Sequence, residues 1–551
     1  MEQVGEENSV ATSKVPLFAR EATGLVRRLG FLDQFIVSMA IINITGGFVL
    51  TMIAAPFFFP GANMIEVFAL GAVPSMAFVV TYSILSAAIP RAGGDYVWTG
   101  RILSQRLASV MAVTILFGAI FAGPAFNAWY FDAFGLAQLF FSWGVVTSNP
   151  GLISLGAAVS QPGLGYPISL IFIIAIIAIG LFGIEPYRKI NKYAFAVFIV
   201  TMFVFLFGLV SVNTATFQSS FDASMRNYNV TYAQVQGVIN TNPQLAGFSV
   251  WNTILAAIPF GFLTYSGFNF NTYLVGETKQ VSKTIPRALF FAVIITLISL
   301  VVLTSITYST LGGAFVGGIS YLFNTGALSS LPVQPTVNLL ISLASPAWLG
   351  FLINLNVSLG FFLVALSYFM TFSRILFAMA FDRILPERVA SVNDKYHSPH
   401  YAVIIIGVFT IIFATMIWFA GWAAAYLNTS LAEPIAYVIP GLAALLLPIV
   451  KKDLYKSTVK NLPGWLGAEI AGVPVVSIGG LAIVLIWGFA IYSLLFPVTS
   501  YQYLGASAPL AIGLTIVLVV FGLVLFEASR LYHKRRDAID IILASKEIPP
   551  E

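Results

Sequence analysis

Charged side chains are scarce in this chain of 551 residues. Asp, Glu, Lys and Arg make up 9% of the sequence, whereas apolar residues make up 58%. Soluble domains carry about a quarter charged residues, so this composition does not supply the polar surface that a soluble protein of this size needs. The composition therefore excludes a soluble protein and leaves room for about a dozen membrane helices of ~20 residues each.

Cysteine is absent, and histidine occurs only at His397, His400 and His533. Without cysteine, the chain can form no disulfide, thiolate nucleophile or thiolate metal site. The histidines stand in polar segments near the ends of apolar runs, and none has the partner four residues away that a helical zinc pair requires. We therefore predict no metal and no other cofactor. The first thirty residues also lack the pattern of a cleaved signal peptide.

The motifs of several membrane functions are missing as well. No glycine–lysine phosphate loop occurs, which argues against ATP-driven transport, and no Ser–His–Asp set lies within reach of a span. No TVGYG-like filter is present, so an ion channel is disfavoured. Ionisable residues stand mainly at span ends, which argues against a proton pump or voltage sensor; they include Glu66, Asp132, Glu277, Arg374 and Asp382.

Twelve apolar segments are long enough to cross a membrane. They are 32–58, 66–89, 107–131, 167–184, 194–212, 250–275, 288–310, 346–380, 401–421, 433–450, 474–496 and 508–531. The predicted organisation is a tail (1–30), a first helical unit (31–213), an external segment (214–249), a second helical unit (250–450), two further helices (451–532) and a second tail (533–551).

Basic residues lie in alternate connections between the predicted spans. The connections 132–166, 213–249, 311–345, 422–432 and 497–507 contain a single basic residue, Arg226, of the 27 in the chain. Basic loops stay in the cytoplasm, so we predict a cell-membrane protein with both termini inside. The distribution of the basic residues, rather than the net charge of +5, thus sets the topology in the lipid bilayer, and no nucleic-acid partner is expected. Two sequons, at Asn229 and Asn428, agree with this orientation.

The first span is interrupted near its middle by the stretch IINITGGF (41–48). Every backbone group in hydrocarbon needs an internal partner, so such a stretch serves either close helix packing or a binding cavity. If five spans form one unit, the sixth span opens an inverted second unit, and inverted repeats break corresponding helices. The sixth span has its own interruption, FLTYSGFNFNTY (262–273), and this pairing favours a binding site over packing.

A helix broken inside the membrane has unpaired N–H groups on one side of the break and unpaired carbonyls on the other. The N–H groups attract a carboxylate, and the carbonyls attract an ammonium group or a cation. A zwitterionic amino acid carries both charges. Two such breaks therefore predict an amino acid site that needs no ionised side chain in the lipid.

Further motifs identify the chain as similar to a known family. Together with INITGG, in matching order over roughly residues 25 to 450, they resemble the amino acid–polyamine–organocation permeases. They are PRAGGDYVWTGR (90–101), FLTYSGFNFNTYLVGETKQVSKTIPRAL (262–289) and SRILFAMAFDRILPERVASVNDKYHSPH (373–400). The resemblance implies a leucine-transporter-like, all-α fold with two inverted five-helix repeats. Helices one and six would be broken, and two extra C-terminal helices would make twelve spans.

The resemblance also implies which residues bind the substrate. They are Ile44, Thr45, Gly46 and Gly47 at the first break, and Thr264, Tyr265, Ser266 and Gly267 at the second. Tyr265 would be either an aromatic gate or a packing tyrosine. Asn269 stands where many members carry an acid, which favours a neutral substrate.

Other site residues are implied in the same way. Ser367 and Thr371, with Ser373, would line a sodium site, or else bond to carbonyls of their own helix. Phe198 stands near the position of a coupling lysine in some members. Two networks would hold the inner gate, or the same charges would only set the topology; they are Arg91 and Arg101 with Asp95, and Glu277 with Lys279 and Arg287.

The sequence thus predicts a secondary active transporter for neutral or broadly selected amino acids. It would be coupled to Na⁺ or H⁺, or would work by exchange. A non-transporting amino acid receptor on the same scaffold and a transporter of polyamines or other organic amines are the alternatives. The oligomeric state is not predicted.

Overall fold

The computed structural model describes residues 18–19, 23–420, 431–495 and 509–547. The predicted connection 497–507 and the sequon at Asn428 lie outside these residues. Eleven helical stretches of the described chain are long and apolar enough to cross a membrane. They are Phe31–Phe58, Met64–Ala88, Gln105–Val146, Pro162–Leu181, Ile184–Ser211, Val281–Thr310, Ala347–Phe381, His400–Phe419, Ala432–Val450, Val475–Tyr492 and Pro509–Arg536.

The described chain contains 22 α-helices, most of which lie in the spans. In chain order these are α1 (Phe31–Ile42), α2 (Ile44–Phe58), α3 (Met64–Ala88), α4 (Asp95–Ile102), α5 (Gln105–Ile115), α6 (Gly123–Tyr130), α7 (Ala137–Val146), α8 (Pro150–Val159), α9 (Pro162–Leu181), α10 (Ile184–Ser211), α11 (Thr214–Met225), α12 (Tyr232–Thr241), α13 (Val250–Ala256), α14 (Val281–Leu311), α15 (Gly313–Asn324), α16 (Val337–Leu343), α17 (Ala347–Phe381), α18 (His400–Phe419), α19 (Ala432–Val450), α20 (Lys452–Val459), α21 (Val475–Leu495) and α22 (Pro509–Arg536).

The remaining elements are short. The π-helices are Leu116–Ile120, Phe131–Leu136 and Ala257–Phe262; the 3₁₀-helices are Arg226–Tyr228, Pro243–Leu245, Phe268–Glu277, Glu387–Ala390, Gly464–Leu466 and Ile541–Lys546. Strands β1 (Glu469–Ile470) and β2 (Val473–Pro474) form a small antiparallel hairpin. Large apolar side chains such as Ile171, Val200 and Ile516 are exposed on the outer faces of spans, as lipid contact requires. The chain is therefore a mainly helical, multi-pass membrane protein, as predicted.

The third span is longer than the predicted 107–131. It continues from Gln105 to Val146 through two π-helical segments, so the first part of the predicted connection 132–166 is helix. Asp132 does not end the helix because its carboxylate is buried and accepts a 2.5 Å hydrogen bond from Ser169 on α9. The indole of Trp418 donates in turn to Ser169 at 3.0 Å.

The polar connection 213–249 also contains helices. α11 and α12 pack on α15, with Phe217 and Phe221 against Phe315 at ring-centroid distances of 5.2 and 5.4 Å. Helix α16 lies in the later connection that was predicted as 311–345. These segments bury apolar faces against one another, although they are too polar to span a membrane.

Residues 250–277 do not form one helix, which is why they are not among the eleven spans. α13 passes into a π-helix that ends at Phe262, a turn follows, and a ten-residue 3₁₀-helix runs from Phe268 to Glu277. Runs of 3₁₀-helix longer than about four residues are uncommon. The long helix α17 packs against this segment and against α1, α2, α6 and α10, so it forms the centre of the bundle.

Candidate functional site

The first span breaks at Asn43, which separates α1 from α2. Asn43 has φ = 48°, the left-handed conformation that Asn tolerates better than most residues. Its side-chain oxygen accepts a 3.2 Å hydrogen bond from the Gly46 amide and so caps α2. The helical hydrogen-bond ladder resumes with the Gly47 amide, which donates to the Asn43 carbonyl at 2.8 Å.

The break starts a new helix inside the bundle. Ile44 and Thr45 lie in the first turn of α2, where backbone N–H groups have no acceptor within their own helix, and the Asn43 side chain accepts from Gly46. The hydroxyl of Thr45 is also buried without a partner. Unpaired N–H groups in the first turn of a helix form an anion-binding position, so the break fits a carboxylate.

The two glycines after the break have no side chains, and this leaves space beside the first turn of α2. A Cβ atom at Gly46 would lie 2.8 Å from Cγ of Asn43 and 2.9 Å from Cε1 of Phe361. At Gly47 it would lie 3.0 Å from Cγ2 of Thr264. Side chains at these two positions would therefore occupy the space beside the N–H groups of Ile44 and Thr45.

The second break is a change of helix type. After the π-helix, the amides of Tyr265 and Ser266 donate three residues back, to Phe262 and Leu263, at 2.8 and 3.0 Å. Gly267 follows with φ = 88° and caps the 3₁₀-helix. The regular α-helical ladder is thus interrupted across the turn that precedes Phe268.

The two breaks lie against each other. The hydroxyls of Thr51 and Thr264 are 3.0 Å apart, and the hydroxyl of Ser38 donates to the carbonyl of Phe268 at 2.8 Å. A Cβ atom at Gly267 would collide with Ile41. The structure therefore brings residues of both predicted binding stretches into one place, about the middle of the apolar bundle.

Some residues at or near the breaks are only half-buried. Five of them, from different parts of the fold, stay half-buried although both sequence neighbours of each are buried: Gly47, Gly123, Ser266, Tyr368 and Glu433. Close approaches connect them, since a Cβ atom at Gly123 would lie 2.9 Å from the Tyr368 ring and one at Gly267 would lie 3.3 Å from the Tyr368 hydroxyl. These contacts and the hydrogen bond between Ser266 and Glu433 place partly exposed residues beside the second break.

Comparison with known proteins agrees with this geometry. A family model described as amino acid permease matches residues 29–526. The chain belongs to the amino acid permease family. It is 22% identical over 398 residues to a Bacillus subtilis protein named branched-chain amino acid permease. The match covers 71% of this chain and 75% of that protein.

Uncharacterized transporters of Mycobacterium tuberculosis and Mycobacterium bovis are each 22% identical over 383 residues, covering 70% of this chain and 72% of theirs. The predicted family is thus confirmed. The family and the names of these relatives support a transporter rather than an enzyme.

Glu433 contacts the second break, which the sequence did not reveal. Its Oε1 atom accepts a 3.2 Å hydrogen bond from the hydroxyl of Ser266 in the second break. In the sequence it begins the predicted span 433–450, where an acid resembles any other residue at a membrane boundary. Its partner is 167 residues away, so only the folded permease shows the contact.

Tyr265 does not face the space beside the breaks. Its side chain is fully buried, and its hydroxyl donates to the carbonyl of Phe68 on α3 at 3.0 Å. This geometry favours the packing interpretation over the aromatic gate. The aromatic side chains nearest the breaks are instead Phe361, beside Gly46, and Tyr368, beside Gly267.

The hydroxyls of the predicted sodium site have partners on their own helix or nearby. Thr371 donates to the carbonyl of Ser367 at 2.9 Å, and Ser373 donates to that of Met370 at 2.9 Å. The Ser367 hydroxyl accepts from Tyr187 at 3.2 Å. This is the back-bonding pattern named above as the alternative.

Phe198, the residue predicted near the position of a coupling lysine, lies beside the first break. A Cβ atom at Gly360 would lie 3.1 Å from the Phe198 ring and would also meet the side chain of Asn43. The carbonyl of Phe198 accepts from Asn356 at 2.8 Å. The first break is therefore flanked here by an aromatic ring and not by an ammonium group.

We call the end of the bundle that carries 91–101, 277–287 and 382–388 the basic end. The predicted pairing of Arg101 with Asp95 is wrong, because Arg101 binds Asp382 at 2.6 and 2.7 Å, with both groups buried. Asp95 and Arg101 are six residues apart on α4 and so point in different directions. Arg91 lies in the preceding loop and donates to the carbonyl of Pro90 at 3.2 Å.

Glu277 has a different partner from those predicted. It pairs with Arg374 on α17 at 2.7 Å, and both side chains are fully buried, whereas Lys279 and Arg287 are not its ion-pair partners in the described chain. The Glu277 carbonyl also accepts from the amides of Arg28 and Leu29 at 2.9 Å. The end of the 3₁₀-helix is thereby fixed to α17 and to the segment before α1.

Asp95 gives a testable pH dependence. It is buried at the start of α4 and accepts a 3.0 Å hydrogen bond from Tyr82. Burial raises the pKa of this carboxyl to about 7, against an ordinary value of 3.8. At pH values between 3.8 and about 7, the folded permease binds more protons at Asp95 than the unfolded chain does. The contribution of Asp95 to stability therefore falls as pH rises through this window.

We therefore expect Asp95→Asn to flatten the fall in unfolding temperature between pH 5 and 7.5, measured on purified protein in detergent. Asp453→Asn, which changes an exposed acid on α20, is the matched control and should leave the slope unaltered. Equal slopes for the wild type and the Asp95 variant would contradict the assignment.

Proposed function

We propose that this permease is a secondary active transporter that moves amino acids, neutral or of broad range, across the cell membrane by alternating access. The observation that carries the proposal is the contact between two broken helical segments, one of which places the N–H groups of Ile44 and Thr45 in the first turn of a helix. A carboxylate would bind these donors and the buried hydroxyl of Thr45.

The proposed binding residues are those of the two predicted stretches. Backbone groups of residues 44–47 would hold the substrate carboxylate. Carbonyls at the end of α1 and in residues 264–267 would hold its ammonium group, because helix C-termini are partially negative. The name of the Bacillus subtilis relative supports an amino acid as the substrate.

The proposed architecture has twelve spans in two inverted repeats. The first repeat comprises the spans from Phe31 to Ser211, and the second begins with the broken segment 250–277 and ends with α19. α21 and α22 would be the two extra helices. We propose that both termini are cytoplasmic, because the basic connections predict this orientation.

In this scheme the basic end is the inner gate. The buried pairs Arg101–Asp382 and Arg374–Glu277 tie α4 and the 3₁₀-helix to α17. Alternating access would require these contacts to rearrange when the site opens inward. Na⁺, H⁺ or a counter-transported substrate would supply the driving force.

Uptake by purified permease in proteoliposomes tests the proposal. We expect saturable uptake of labelled amino acid that unlabelled amino acids reduce, with none in empty liposomes. Imposed Na⁺ and pH gradients then identify the coupling. Binding in a thermal-shift assay without uptake would instead favour a receptor. Absence of both binding and uptake for all twenty amino acids would reject the proposal.

A further inference from the structure

Glu433 carries a carboxylate next to the second break. The proposed binding of the substrate's α-carboxylate and α-ammonium groups does not use it. The Oε1 atom of Glu433 accepts the hydrogen bond from Ser266, and the hydroxyl of Tyr437 also interacts with the carboxylate. No Lys, Arg or His of the described chain forms an ion pair with Glu433, in contrast to Glu277 and Asp382, which are both paired with arginines.

The surroundings of Glu433 are apolar and aromatic apart from a few hydroxyl groups. Tyr437 lies one turn further along α19, fully buried, with its hydroxyl close to the Glu433 carboxylate. Its ring stacks on Trp487 at 5.1 Å. An ionised carboxylate in such surroundings costs free energy unless a positive group pairs with it.

Glu433 also keeps partial exposure inside the bundle. It is one of the five half-buried residues at or near the breaks, together with Ser266 and Tyr368. Residues 44–47 meet the second break at Thr264, whereas Glu433 meets it at Ser266. A substrate whose α-amino and α-carboxyl groups lie between the breaks would therefore have Glu433 on a separate wall of its site.

We propose that Glu433 pairs with a second ammonium group on the substrate, so that the site prefers amino acids with a cationic side chain. This inference rests on the proposed transport function in its broad-range form, and it narrows the substrate class to amino acids with a cationic side chain. Glu433 then supplies the carboxylate that position 269 lacks, where the side chain is the amide of Asn269. A primary ammonium group of a diamine has the same chemistry, so the test includes one.

Three ligands of nearly equal length separate the possibilities. Lysine has the second ammonium group, norleucine replaces it with a methyl group, and cadaverine keeps two ammonium groups but has no carboxylate. We expect wild-type permease in proteoliposomes to bind lysine at least tenfold more tightly than norleucine, measured by competition with labelled substrate. Cadaverine should bind more weakly than lysine, because it cannot use the donors at Ile44 and Thr45.

The variant E433Q keeps the shape of the side chain and an acceptor for Ser266 but removes the charge. A hydrogen bond to a charged group contributes enough that its loss should lower the lysine-to-norleucine affinity ratio on the order of 10- to 100-fold. Glu66→Gln is the matched control, since Glu66 is also an acid in the first turn of an apolar helix. That variant should keep the wild-type ratio.

The opposing outcomes are distinct. Glu433 lies in the first turn of α19, where a negative charge stabilises a helix. A lower unfolding temperature for E433Q with an unaltered ratio would therefore assign it a structural role and overturn the inference. Loss of the pH dependence of norleucine uptake with an unaltered ratio would assign it to proton coupling and would also overturn it.

If E433Q does not fold, the lysine-to-norleucine affinity ratio of the wild-type permease decides the inference by itself. Uptake of norleucine with no preference for lysine rejects this inference and leaves the transport function intact. Uptake of cadaverine in preference to lysine shows that the ammonium pairing holds for diamines and overturns the choice of amino acids. Absence of uptake for every ligand rejects the transport function itself.

Discussion

Replacing Gly46 with valine is expected to abolish amino acid uptake, to below about one hundredth of the wild-type rate at a fixed substrate concentration. Even the Cβ atom would approach Asn43 and Phe361 to less than 3.0 Å. The remaining methyl groups would fill the space next to the N–H groups of Ile44 and Thr45. A loss of about 3 kcal/mol of binding free energy corresponds to a factor of more than 100.

Gly488→Val is the matched control for this prediction. Gly488 lies in the apolar helix α21, and a Cβ atom there would meet no other atom within 4 Å. Both variants should elute as folded protein in size-exclusion chromatography, and only the Gly46 variant should lose ligand-induced thermal stabilisation. If folded Gly46→Val permease transports normally, the first break does not hold the substrate.

Replacing Arg374 with methionine is expected to destabilise the fold by about 3–5 kcal/mol, the usual cost of breaking a buried ion pair on one side. The change leaves the Glu277 carboxylate uncompensated and fully buried at the basic end. The arginine also donates to the Met370 carbonyl at 3.0 Å and to the Ser373 hydroxyl at 2.7 Å. The measurement is equilibrium unfolding of purified protein in detergent.

Two controls separate the charge effect from lost packing. The double variant Arg374→Met with Glu277→Leu removes both charges and should recover most of the lost stability, because apolar replacement of a buried pair is often close to neutral. Arg106→Met breaks the exposed pair with Glu527 and should cost less than about 1 kcal/mol. A double variant as unstable as the single one would show that packing, and not charge, dominates.

Eleven of the twelve predicted apolar runs correspond to spans of the described chain, because hydrocarbon imposes length and composition on each helix, whereas the run 250–275 does not form one helix. The third span was predicted too short, since its extension past Asp132 depends on a hydrogen bond from Ser169 on another helix. The first break was predicted from its glycines, whereas the residue that adopts the left-handed conformation is Asn43. Local sequence thus located the break but not the residue that forms it.

Long-range pairing explains the other differences. Arg101 and Asp382 are 281 residues apart, and Ser266 and Glu433 are 167 apart, so neither contact follows from local spacing. A nearby acid was the natural predicted partner for Arg101, although helix geometry directs the two side chains apart. Sequence therefore predicts which residues are charged in the site more readily than which of them meet.

In the proposed function, the peptide groups of the two breaks hold the substrate. The most direct test is an electron cryomicroscopy structure of the permease with a saturating amino acid. We expect the substrate carboxylate about 3 Å from the backbone nitrogens of Ile44 and Thr45, and its ammonium group at the carbonyls of residues 264–267. An unbroken helix through Asn43, or a ligand bound away from both breaks, would contradict the account.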